Sequence, residues 1–111
     1  MSAPLDIESG DALTRAQLID ALQARDRGDA RFTLIDIREE YELIHGFIAG
    51  AIHRPLSTFD ADLLAGDVIV YCQAGVRSGH LVRELKAQGF IGVTHYAGGY
   101  LDWVGGTGSG T

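Results

Sequence analysis

The best candidate for chemistry in this sequence is a cysteine at the junction between an apolar segment and a helical segment. The apolar run Val68–Tyr71 leads directly into Cys72, the only cysteine, and a short loop containing Gly75 follows, with Arg77 at the predicted start of a helix. The unpaired amides and the dipole of a helix N-terminus stabilise negative charge, and a thiol held against them is kept as the nucleophilic thiolate. The same amides can hold an anionic substrate beside the sulfur.

The segment after this loop predicts the helix that such a site needs. Within residues 77–88, Leu81, Val82 and Leu85 recur at helical spacing and would face the core. The alternative for a lone cysteine is a small apolar role in the core. Strand ends that precede helices, however, are where open α/β sheets bind their ligands. We therefore expect a reactive Cys72.

The composition describes one small acidic domain. The chain has 111 residues, enough for one domain that buries roughly 65% of its unfolded surface. Its formal net charge of −6 argues against nucleic acids and anionic membranes as partners. A single cysteine excludes an internal disulfide and any multi-cysteine metal site, and the histidines lack the spacing of ligands, so we expect no metal.

The single cysteine also indicates a cellular compartment. A lone thiol fits a reducing compartment, and we expect the cytoplasm, although one cysteine is also compatible with the periplasm. Residues 1–30 contain no continuous apolar run that would indicate a signal peptide or a membrane span.

Alternating strand-like and helix-like segments predict an α/β fold. Strands are predicted at residues 32–37, 51–55, 68–71 and 93–96, helices at 16–25, 77–88 and 100–104, and shorter helical turns at 39–45 and 56–65. Thr14 is a predicted N-cap, and Leu5–Ile7 a possible edge strand. This alternation is typical of a mostly parallel sheet with helices on both faces. The domain is expected at residues 1–104, and residues 105–111, all Gly, Ser or Thr, as a disordered tail.

Four segments, in order, resemble motifs of the rhodanese family. They are Leu34–Glu42, which resembles the motif beginning Asp-x-Arg; Gly46–Pro55, which resembles Gly-His-Ile-x-Gly-Ala-x-x-x-Pro; Val70–Ser78, which resembles the active-site loop; and Gly98–Gly99 with Trp103, which resembles the closing Gly-Gly and Trp element. The resemblance covers about residues 12–104. It implies a three-layer rhodanese-like domain of the single-domain, thiosulfate sulfurtransferase type.

The resemblance also implies roles for individual residues. Cys72 is the sulfur-accepting nucleophile, while Asp36 and Arg38 support the fold near its loop. The substrate-binding loop consists of Gln73, Ala74, Gly75, Val76, Arg77 and Ser78, the last being the first residue of the helix behind it. One position departs from the family, since Phe47 stands where a histidine is common and His45 lies two residues earlier.

The implied activity is the transfer of sulfane sulfur through a persulfide on Cys72. The donor is thiosulfate or a persulfide, the acceptor is cyanide or a thiol, and no cofactor is needed. The expected partners are therefore a small-molecule donor and a thiophilic acceptor, which includes the possibility of a sulfur-accepting protein. Two alternatives remain: a non-enzymatic persulfide carrier or protein-binding module, and a phosphatase or arsenate reductase of the same fold. A phosphatase loop, Cys-x5-Arg, would require arginine at position 78, which is Ser78 here.

Three histidines are candidates to assist the thiol. His53, His80 and His95 could act by electrostatics or proton transfer, and a Cys–His pair is also the basis of papain-like catalysis. Nothing in their spacing selects a base, and the loop amides can activate the thiol without one. We therefore expect a surface or core role for each histidine.

Overall fold

The computed structural model describes residues 12–105, and their strands form one sheet. The strands are β1 (Ala12–Leu13), β2 (Thr33–Asp36), β3 (Ile52–His53), β4 (Val68–Tyr71) and β5 (Val93–Tyr96). The helices are α1 (Arg15–Asp26), α2 (Val76–Ala87) and α3 (Gly99–Gly105), and 3₁₀ segments lie at Glu40–His45, Leu56–Thr58 and Ala61–Leu63. The sheet order is β1-β5-β4-β2-β3, and every pairing in it is parallel. The strand that leads to the cysteine is therefore the middle strand.

Strand β4 is apolar throughout because both faces of the sheet are covered. Successive side chains of a strand point to opposite faces. Val68 and Val70 accordingly join the same buried cluster as Cys72, while Ile69 and Tyr71 join the cluster on the other face. Neither face of this central parallel strand contacts solvent, which explains the continuous apolar run in the sequence.

Each face of the sheet has its own cover. Helix α2 lies against the face of Cys72 and contributes Leu81, Val82 and Leu85, at the positions that the helical spacing predicted. Helices α1 and α3 cover the opposite face, to which Leu18 and Trp103 contribute. The predicted three-layer α/β architecture with a parallel sheet is thus confirmed. Between residues 12 and 105, no helix is both long and apolar enough to cross a membrane.

Helix α1 begins at the predicted cap. The Thr14 hydroxyl accepts a hydrogen bond from the Gln17 backbone N–H at 3.1 Å, and the Gln17 side chain accepts one from the Thr14 N–H at 2.8 Å. This reciprocal capping box satisfies two amides that the helix itself cannot pair, and such a cap contributes about 1 kcal/mol. The helix exceeds its predicted range by one residue at each end.

Helix α2 begins one residue earlier than predicted. Its first residue is Val76 rather than Arg77, so Ser78 is the third helical residue and not the first. The reason is Gly75, which serves as the N-cap with a φ of 91°. This left-handed conformation turns the loop sharply enough to start the helix directly after it.

The predictions for the chain ends have different outcomes. The possible edge strand Leu5–Ile7 lies outside the described residues, and the first of the two edge strands in the described sheet is β1, at Ala12–Leu13. Residues 106–111 of the predicted tail also lie outside them. Gly105, the first residue of that predicted tail, is instead the last residue of α3.

Candidate active site

The candidate nucleophile lies at the carboxyl end of the middle strand. Cys72 directly follows β4, and only 1% of its surface is exposed. The carboxyl ends of parallel strands are where this class of sheet binds ligands. The sulfur is therefore a buried group at the usual position of an α/β active site.

Several donors converge on this sulfur. The backbone N–H of Gly75 lies 3.1 Å from Sγ, the backbone N–H of Ser78 lies 3.4 Å from it, and Ser78 Oγ is also 3.4 Å away. Burial by itself would raise the pKa of Cys72, but hydrogen bonds from Ser78, Gly75 and Ala74 outweigh it and lower the pKa below its ordinary value. The loop thus favours the thiolate, the nucleophilic form.

Two glycines allow the loop its close contacts. A Cβ on Gly75 would lie 2.0 Å from the backbone oxygen of Ala97, and one on Gly99 would lie 2.5 Å from the backbone oxygen of Gln73. The first turn of α3 uses this space, since the N–H of Tyr100 donates to the Cys72 carbonyl at 2.9 Å. Gly99, the second residue of the Gly98–Gly99 pair, therefore allows α3 to pack against the cysteine loop.

A buried ion pair supports the loop from the side of β2. Arg38 Nη2 lies 2.8 Å from Asp36 Oδ2, and the two side chains are 1% and 2% exposed. Arg38 also donates to the Gln73 side-chain oxygen at 3.1 Å and to the carbonyls of Glu42 and Gly46. Burial would lower the pKa of Arg38, but Asp36 more than compensates and the pKa is raised. One guanidinium group therefore connects β2, the segment after it and the cysteine loop.

The side chain of Arg77 is engaged in an ion pair. Its guanidinium donates two hydrogen bonds to Glu42, at 2.7 and 2.8 Å. This pairing lowers the pKa of Glu42 and raises that of Arg77. The side chains are 36% and 15% exposed, so the pair lies at the surface of the site. Arg77, the local cation that the sequence predicted beside an anionic substrate, is therefore paired with the carboxylate of Glu42.

One histidine reaches the site through a serine. His95 Nδ1 lies 2.8 Å from Ser78 Oγ, the same hydroxyl that contacts the sulfur of Cys72. The expected surface or core role does not describe this position. His95 lies two residues after Val93 on β5, so the two side chains share one face of the sheet, and Val93 is buried in the cluster of Cys72. This two-residue spacing is the sequence signal for the position of His95.

The other predicted residues have varied positions. The Val76 side chain is exposed, and so is His80. His53 Nε2 lies 2.7 Å from the Arg38 carbonyl and so belongs to the support of the loop. Phe47, which departs from the family motif, is exposed, and His45, two residues earlier, uses its carbonyl to accept from the Tyr100 hydroxyl. Neither side chain is among the donors that converge on Cys72 Sγ.

Two curated relatives share sequence with much of the chain. The chain is 31% identical to a protein of Allochromatium vinosum named "Sulfurtransferase", over 64% of this chain and 70% of that one. It is 34% identical to the Bacillus subtilis protein named "Putative sulfur carrier protein YrkF", over 80% of this chain and 50% of YrkF. The chain thus spans about half the length of YrkF, and less of some other curated relatives that it matches.

Solved structures agree with the fold. The chain superimposes on a rhodanese-related protein of Thermoplasma volcanium with a TM-score of 0.67 and 26% identity, covering 85% of this chain and 90% of the other. A family model described as "Rhodanese-like domain" matches residues 16–105, which include the cysteine loop and its supports. One relative of this chain is named a sulfurtransferase. The match to the family model shows that the chain belongs to the rhodanese-like family.

Proposed function

We propose that this chain transfers sulfane sulfur through a persulfide formed on Cys72. The observation that carries the proposal is the convergence of two amide donors and the Ser78 hydroxyl oxygen on a buried sulfur, at 3.1 to 3.4 Å. Hydrogen-bond donors fixed in a water-poor site stabilise negative charge without reorganising during the reaction. Such an environment would stabilise the negative sulfur of Cys72, both as the thiolate before the reaction and as the persulfide that forms from it.

The first half-reaction loads the sulfur. The Cys72 thiolate attacks the outer sulfur of a donor such as thiosulfate, the sulfur–sulfur bond of the donor breaks, and its electron pair leaves with sulfite. The product is an enzyme persulfide with one negative charge on the outer sulfur, so charge and atoms balance. The amides of Gly75 and Ser78 stabilise the attacking thiolate.

The second half-reaction returns the enzyme to its starting state. Cyanide attacks the outer sulfur in the assay and leaves as thiocyanate, while the electron pair of the broken bond returns to Cys72 Sγ. With a thiolate acceptor and a protonated persulfide, the products are the acceptor persulfide and the Cys72 thiolate. The hydrogen bonds that lower the pKa of Cys72 also make it a better leaving group.

Charge near the loop bears on the choice of donor. Arg38 is paired with Asp36, and Arg77 is paired with Glu42, in a chain whose formal net charge is −6. Thiosulfate is a dianion, and these paired cations attract it less than free ones would. We therefore propose that a persulfide of lower charge is the better donor, and thiosulfate a weaker one.

A persulfide carrier is the second candidate. The name of the relative YrkF describes a sulfur carrier, and a carrier would use the same Cys72 persulfide without multiple turnovers on small molecules. A partner protein would then take the place of the small acceptor. We place either activity in the cytoplasm, because a single free thiol at the active site is best preserved in a reducing compartment.

Intact-mass spectrometry tests the proposal directly. The chain is treated with thiosulfate or with a low-molecular-weight persulfide, and then with cyanide. We expect a mass gain of one sulfur atom on Cys72 that cyanide removes, and no gain in Cys72→Ser, with both proteins showing the same circular dichroism. Repeated thiocyanate release identifies an enzyme, and a single equivalent identifies a carrier. Absence of the sulfur adduct with every donor would refute both.

A further inference from the structure

Two side chains, Ser78 and His95, form a connected row behind the reacting sulfur. Ser78 Oγ lies 3.4 Å from Cys72 Sγ on one side and 2.8 Å from His95 Nδ1 on the other. Ser78 has no exposed surface. Strand pairing places His95 here, since it lies opposite Val70 of the middle strand, two residues before the cysteine.

The serine hydroxyl has one proton and several possible acceptors. Besides Cys72 Sγ and His95 Nδ1, the Gly75 carbonyl lies 3.3 Å from Ser78 Oγ. That carbonyl already accepts the backbone N–H of Gly79 at 3.0 Å. A carbonyl has two lone pairs, so it can accept the Ser78 proton as well. The imidazole tautomer decides whether the ring competes for that proton with the sulfur and the carbonyl.

The two tautomers have opposite consequences. If Nδ1 has no proton, it accepts the Ser78 proton, and the hydroxyl oxygen is then free to accept from a neutral Cys72 thiol. If Nδ1 carries a proton, it donates to Ser78 Oγ, and the hydroxyl proton is left to the Gly75 carbonyl or the sulfur, of which a thiolate is the stronger acceptor. The first arrangement stabilises the thiol, and the second stabilises the thiolate.

We propose that His95 is a positioning residue for sulfur transfer, whose Nδ1–H donates to Ser78 Oγ and thereby directs the hydroxyl proton onto Cys72 Sγ. A negatively charged sulfur attracts that proton more strongly than a neutral imidazole does, and each bond in such a row polarises the next. The inference rests on the thiolate of the proposed function. It adds that a residue outside the loop, on β5, controls how strongly the loop holds that thiolate.

The surroundings of the ring are compatible with this role. Gly79 leaves room for it, because a Cβ there would lie 3.2 Å from His95 Cε1. The same point is 3.7 Å from Nη1 of Arg83, so a cation of α2 lies on this side of the ring. Nδ1 itself faces Ser78, so a neutral ring that donates to the hydroxyl has an unprotonated Nε2.

Two amide substitutions separate the proposal from a merely structural role. His95→Asn places an N–H close to the position of Nδ1, whereas His95→Gln places its amide near the position of Nε2. Ser78→Ala removes the intermediary, and the double variant of Ser78→Ala with His95→Gln measures coupling. His80→Gln makes the same change at an exposed histidine of α2 and serves as the matched control.

The readout is the pH dependence of Cys72 alkylation by iodoacetamide, which needs no sulfur donor. We expect His95→Gln to slow alkylation about three- to tenfold at pH values below the thiol pKa, the scale of one lost hydrogen bond. His95→Asn and His80→Gln should keep the profile of the unmodified chain. Ser78→Ala should slow alkylation by at least as much, and His95→Gln should add nothing in its background.

Several results would overturn the inference. Faster alkylation in His95→Gln would show that Nδ1 had accepted the serine proton, and an unchanged profile would show that the imidazole has no influence. Additive effects in the double variant would show that Ser78 does not transmit the effect. If circular dichroism shows that His95→Gln does not fold, His95→Asn becomes the deciding variant. The inference is then wrong if His95→Asn slows alkylation as much as Ser78→Ala does. Failure of the proposed function is a separate result, seen as no sulfur adduct on a normally alkylated Cys72.

Discussion

Replacing Arg38 by methionine removes the guanidinium group that connects the cysteine loop to β2, while it keeps much of the apolar length of the side chain. The group is bonded to the Asp36 carboxylate, to the Gln73 side chain and to two carbonyls of the segment after β2. Because the pair is only 1% and 2% exposed, water cannot replace what is lost. The variant therefore measures what a buried charge pair contributes to this site.

The expected loss is large. Asp36 keeps the hydrogen bond from the backbone N–H of residue 38 but loses its opposite charge. Leaving one member of a buried pair uncompensated costs about 3–5 kcal/mol in the free energy of unfolding. A domain of this size has about 5–15 kcal/mol in total, so Arg38→Met should still fold at 25 °C with much of its margin gone.

Urea denaturation followed by the fluorescence of Trp103, the only tryptophan, gives the free energy of unfolding. The matched control is Arg27→Met, because Arg27 forms an ion pair with Asp29 in which the side chains are 62% and 66% exposed. That control should lose at most about 1 kcal/mol. Adding Asp36→Asn to Arg38→Met removes the uncompensated charge and should recover part of the loss. A loss in Arg38→Met no greater than that in Arg27→Met would refute the reasoning.

Three further predictions concern the sulfur and its substrates. Because hydrogen bonds lower the pKa of Cys72, its alkylation should have a midpoint below that of a free thiol and should slow as the pH falls through the lowered value; a midpoint at or above about 8.5 would contradict this. Arg77→Ala should weaken kcat/KM for thiosulfate by about 1 kcal/mol, and Glu42→Gln, which releases Arg77, should strengthen it; unchanged values in both would make the pair a surface contact only. The chain should hydrolyse aryl phosphates negligibly, since its arginine comes one residue earlier than the Cys-x5-Arg loop of phosphatases requires; substantial hydrolysis that disappears in Cys72→Ser would overturn the sulfurtransferase assignment.

The local part of the site could be predicted from the sequence because it is contiguous. The strand, the loop and the helix around Cys72 follow each other directly, so hydrophobic spacing and one glycine suffice to indicate their order. The same holds for the Thr14 cap, whose two hydrogen bonds join residues three positions apart. The one-residue error at the start of α2 also has a local cause, since Gly75 adopts a positive φ and lets the helix begin immediately.

The long-range contacts were decided by the tertiary structure alone. Glu42 reaches Arg77 across 35 residues, and His95 reaches Ser78 across 17. Hydrophobic periodicity shows which face of a strand a residue occupies, but not which strand lies beside it or which acceptor a long side chain selects. The sequence by itself thus indicated the strand, loop and helix around Cys72 and the three-layer family fold. Only the folded chain decided that the loop arginine is paired with a carboxylate and that a histidine stands behind the serine, because both follow from strand order and side-chain packing.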